Sequence, residues 1–122
     1  MKHFTAFILP FVLLFSSIGI AQERDLIKEQ EIEKELQSIA PAYVDEFKKG
    51  TIAMDNLDLV TADSLYAIVY ENAPSFDAVI RRLGGIKFAL GQQTEGVALC
   101  ERAVELNRSY PNLITLINYL IQ

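Results

Sequence analysis

The chain has 122 residues, of which 51% are hydrophobic and 22% charged, with a formal net charge of −5. That apolar share excludes wholesale disorder, and the length leaves room for one small domain but not for a two-domain enzyme. The acidic balance argues against a nucleic-acid partner, which calls for a basic footprint.

Residues 1–21 have the three parts of a secretory signal peptide. Lys2 and His3 form a positive start, the run from Phe7 to Phe15 is an apolar core, and Gly19 and Ala21 stand at the −3 and −1 positions of a cut before Gln22. Removing this leader takes Lys2 with it and leaves 10 basic and 16 acidic side chains, a net charge of −6. An uncleaved membrane anchor is the rival reading. The segment from Phe4 to Ile20 is barely long enough to span a bilayer, and Pro10, Ser16 and Ser17 interrupt it. The expectation is an exported protein, periplasmic or secreted, that meets a membrane only through its leader.

After the leader the apolar periods are helical throughout, and no strand is expected. A charged amphipathic helix is read over 24–39, within an N-terminal segment 22–40, with Leu26, Ile32, Leu36 and Ile39 near one stripe. Its acids, including Glu29, Glu31, Glu33 and Glu35, read as a solvated face. Pro41 ends this helix or starts the next. Helices follow over about 42–54 (Tyr43, Val44, Phe47 and Ile52 apolar) and 59–71 (Ala62, Leu65, Tyr66, Ile68 and Val69 inward), with Asp58 as an N-cap. Ser75 is the expected cap of a helix over 76–90, and Gly91 fits its C-terminal turn. Another helix runs from Gln93 or Thr94 to about Asn107, and a last one from Asn112 onward.

The chemistry these residues offer is limited. The single histidine, His3, lies in the leader, so the remaining chain lacks the usual general base and the Ser-His and Cys-His arrangements. Cys100 has no disulfide partner and reads as a small core residue. No phosphate loop, calcium loop or zinc spacing is found, so no catalytic residue, metal or cofactor is expected.

Two helix pairs recur at one fixed offset. Gly50 aligns with Gly84, Ile52 with Ile86, Leu65 with Leu99, Glu71 with Glu105 and Ser75 with Ser109. Leu83-Gly84, Gly91 and the close Ala103-Val104-Glu105-Leu106, with Gly50, Ala62, Tyr66 and Pro74 before them, resemble the tetratricopeptide repeat family. The resemblance places units at about 43–76 and 77–110 with a partial one at 111–122. It departs at Arg108, where the family closes with proline, and at Ala53 and Lys87, where it carries an aromatic; a looser helical-hairpin repeat stays open. The fold it implies is all-α: antiparallel hairpins stacked as a short solenoid. The function it implies is non-catalytic binding of a protein or peptide partner.

Two surfaces are candidates for that partner. Lys48 and Arg82 share a register on the first helices of the two units, which by the resemblance line the concave side; an acidic peptide fits there, or the acidic helix at 24–39 folds over them itself. Residues 109–122 carry no charge. Ile117 and Leu120 belong to an apolar run that docks within the molecule, meets a partner or a second copy, or continues into a longer repeat array. A structural, self-associating subunit is therefore the alternative reading.

Overall fold

The computed structural model describes residues 24–122. The leader, with the compartment and membrane readings that rest on it, lies outside the described residues. Among the described residues the chain forms α1 (Leu26–Ile39), a 3-10 turn (Pro41–Tyr43), α2 (Val44–Asp55), α3 (Leu59–Asn72), α4 (Asp77–Ala89), α5 (Gln93–Leu106) and α6 (Tyr110–Leu120), and no strand. None of these helices is long and apolar enough to cross a membrane.

Local chemistry sets the helix ends. Asp25 caps α1, its carboxylate accepting from the Ile27 and Lys28 amides at 3.0 and 3.1 Å. Proline has no amide hydrogen to leave unpaired, and Pro41 opens the 3-10 turn that redirects the chain into α2. Asp58 caps α3 through the Thr61 amide at 3.3 Å. Ser75 does not cap α4: the N-cap position falls on Phe76, whose buried ring serves the core instead. Ser109 caps α6 through the Asn112 amide, so this helix starts at Tyr110, ahead of the expected Asn112.

The helices α2–α3 and α4–α5 form two hairpins that correspond at the offset seen in the sequence. α3 and α5 match at both ends, Leu59 with Gln93 and Asn72 with Leu106. α2 and α4 each close in a Schellman turn. In the first, the Asp58 and Leu57 amides donate to the Ala53 and Met54 carbonyls. In the second, the Gln92 and Gly91 amides donate to the Lys87 and Phe88 carbonyls. The turn residues Leu57 and Gly91 are the positive-φ positions among the described residues, at 61° and 88°. The close helix contact recurs as well: a Cβ on Gly50 would lie 2.7 Å from the Tyr66 ring, and one on Gly84 would lie 2.7 Å from Cys100 Sγ.

α4 is the central helix, packed against α3, α5 and α6. Ala78, Val79, Ile80, Leu83 and Ile86 are all buried on it. They join Leu36, Val69, Ala103 and an aromatic group in which Phe47 meets Phe76 edge-on at 5.3 Å and Tyr66 at 5.5 Å. Four residues placed on apolar stripes, Leu26, Ile39, Ile52 and Ile68, are exposed, because the ends of α1 and these faces of α2 and α3 turn away from their neighbours.

Candidate functional site

The sequence positions a charge on the buried stripe of α1. Glu29 shares a helical face with Ile32 and Leu36, at spacings of three and seven residues, and α1 lays that face on the body of the molecule. Glu29 meets Arg82 of α4 in a two-pronged pair, Nη1 to Oε1 at 3.0 Å and Nη2 to Oε2 at 2.6 Å. Both side chains are 9% exposed. The guanidinium is held from the other side by the body. Its Nη1 also donates to Thr51 Oγ1 at 3.1 Å, its carbon lies 5.1 Å from the centre of the Phe47 ring, and Thr51 bonds the Tyr66 hydroxyl at 2.7 Å. Arg24 adds a second cation 3.5 Å from Glu29 and pairs with Asp55 at the end of α2.

Burial favours the neutral carboxyl, but the hydrogen bond and charge of Arg82, with Arg24 behind them, outweigh it. Glu29 is held below the ordinary carboxylate range. Burial opposes charge on Arg82 as well, and Glu29 and Tyr66 more than offset it.

The expectation of a solvated acidic face fails at this residue. Glu29 is buried because it has a long-range cation, 53 residues away. The signal available in the sequence was a glutamate lying on an apolar stripe. Of the two basic positions, Arg82 is taken up by Glu29, while Lys48 is half-exposed and 3.7 Å from Glu33 of the same helix. Lys48 stands on α2 and Arg82 on α4, and they pair with different glutamates of α1. α1 lies over both, so the chain's own acidic helix occupies the place expected for an acidic peptide.

Beside Arg82 the face made by α2, α4 and α6 stays open. A groove of about 320 Å³ is lined by Met54, Leu57, Ile86 and Tyr119, with Arg81 and Arg82 at one side. Arg81 donates to Asn112 Oδ1 at 2.7 Å, and Asn112, 1% exposed, donates in turn to Asp77 and to the Asn107 carbonyl, both at 2.8 Å. This polar knot fastens the start of α6 to α4 and α5. Tyr119 stacks on Phe88 at 4.4 Å near the other end.

The outward face of α6 is uncovered. Ile114, Ile117 and Leu120 are 37%, 49% and 59% exposed. Their counterparts one repeat earlier, Ile80, Leu83 and Ile86, are 0%, 3% and 2% exposed. Docking within the molecule is thus confined to one side of α6.

Chemical machinery is sparse among the described residues. No group of three His, Cys, Asp or Glu side chains is placed to hold a metal ion. Burial pushes the Cys100 thiol up to about 11, which keeps it protonated and inert. Compared with protein-family models, with curated proteins and with solved structures, the chain matches none.

Proposed function

We propose that the chain is an exported, non-catalytic scaffold that binds a protein or peptide, built from tetratricopeptide-like hairpins. The observation that carries this reading is the α2–α4–α6 face. It joins an apolar groove to two arginines, one of them fixed in a pocket of hydroxyls and an aromatic ring. Such a mixture of apolar wall and oriented polar groups suits recognition of a side chain in an amphipathic segment. The recurrence of the hairpin, with its matched helix ends and positive-φ turns, supports the repeat architecture.

A pull-down with immobilised residues 22–122 from the exported fraction of the source cells tests the reading. The expected result is a partner that the wild-type chain retains and that a chain with Leu57→Lys, at the exposed edge of the groove, loses. Retention of nothing above a heat-denatured control would contradict it.

The exposed apolar face of α6 favours a second reading, a structural subunit that associates through Ile117 and Leu120. That reading requires an assembly whose mass falls when either residue becomes lysine.

A further inference from the structure

We infer that the site around Arg82 is a receptor for an acidic amphipathic helix, and that α1 is its exchangeable occupant in cis. The inference rests on the scaffold reading above and names its ligand: a helix carrying a glutamate, an isoleucine three residues on and a leucine seven residues on.

Three observations carry it. First, the receptor belongs to the body and not to α1. Thr51 and Phe47 come from α2, Tyr66 from α3 and Arg82 from α4, and they contact one another without Glu29. The body residues thus hold one another in place independently of α1.

Second, α1 is held by few anchors. Glu29 and Leu36 are its only buried residues, while Leu26 and Ile27 are 71% and 73% exposed. Third, the connection to the body is short and sharply bent. One residue, Ala40, separates α1 from the 3-10 turn at Pro41–Tyr43, so α1 can swing off without unwinding α2.

The arrangement sets the affinity for an outside helix. A tethered occupant acts at an effective concentration in the millimolar range. Only the fraction of molecules with α1 displaced is competent to bind, and the apparent affinity falls by that fraction. Weakening the cis contact therefore strengthens binding in trans, a relation that a merely structural ion pair does not produce. The cations and acids that face Glu29 are Arg24, Asp55 and Arg82, with the Tyr66 hydroxyl behind Arg82.

The test uses residues 22–122 and a fluorescent peptide of residues 24–40, followed by anisotropy. The expected results are saturable 1:1 binding and a tightening of about tenfold or more in the Glu29→Gln chain. Replacing the peptide's own glutamate with glutamine should weaken binding by about tenfold on either chain. The wild-type chain titrated with the two peptides decides the matter even where the Glu29→Gln chain does not fold.

Equal binding of both peptides overturns the inference, and so does absence of saturable binding to the wild-type chain at peptide concentrations of about 1 mM. A complex with two chains per peptide overturns it in favour of exchange between copies. If the peptide fails while the pull-down still retains a partner, the inference falls and the scaffold reading stands.

Discussion

A carboxylate on the buried side of a helix is destabilising unless a cation meets it with good geometry. Glu29 satisfies that condition through Arg82 and Arg24, and the result is a contact sensitive to protonation. Its folded value lies below its unfolded value, so its stabilisation is complete above the ordinary carboxylate range and is lost as pH falls through the lowered folded value. Asp55 faces the same cluster, whereas Arg24 and Arg82 keep their charge through this window. Glu35, an exposed residue, has the opposite sign: partial desolvation and then Asp77 raise it, so its small contribution is present at low pH and lost as pH rises. The predicted outcome is an acid step in far-UV circular dichroism, equivalent to one helix, that precedes unfolding of the body. In Glu29→Gln this step is absent, because docking of α1 is already weakened by about 2–3 kcal/mol. The pairing was not legible in the sequence, since no local rule connects residues 53 apart. Only the break in the α1 stripe hinted at it.

At the scale of elements, helix existence was legible because it rests on local signals. Apolar spacing, Pro41, Pro74, Asp58 and Gly91 each act within a few residues. The helix starts at Asp77 and Tyr110 were less legible, because capping there is settled by where Phe76 packs and by Ser109. The equivalence of Leu57 and Gly91 was hidden too. A leucine gives no sign of a left-handed turn, yet Leu57 takes φ 61° in the same Schellman geometry. That conformation costs a residue with a Cβ about 1–2 kcal/mol, and Leu57 is largely exposed. Leu57→Gly should therefore raise the melting temperature, and Gly91→Ala, at φ 88° with open space around it, should lower it. The hairpin contacts give a sharper test. A Cβ at Gly84 meets Cys100 Sγ and, at 2.9 Å, the Gly96 carbonyl, which is backbone and yields little. Gly84→Ala should lower stability by about 1–3 kcal/mol in urea titration.

For the whole molecule, the described residues divide into a body of two hairpins plus α6 and a strap, α1, across one face. The body leaves the outward side of α6 without a cover, although the same register is buried in α4. The sequence marked this end as uncharged, and the structure shows how docking and exposure are shared there: Asn112 and Tyr119 fasten one side while Ile114, Ile117 and Leu120 face outward. An uncovered apolar strip on an otherwise acidic chain invites contact with another surface. Light scattering of residues 22–122 should show a mass that rises with concentration. Leu120→Lys should remove that rise while changing stability by no more than about 0.5 kcal/mol, since the side chain lies at the surface.

A body that α1 fills reversibly has a signature in native-state hydrogen exchange of residues 22–122. Local opening should release the amides of Leu26–Ile39 about a hundredfold or more faster than those of α4 and α5, with little dependence on denaturant. Amides of α1 that exchange at the rate of the α4 and α5 core, and with the same steep denaturant dependence, would show that α1 leaves only when the whole molecule unfolds and is no exchangeable occupant.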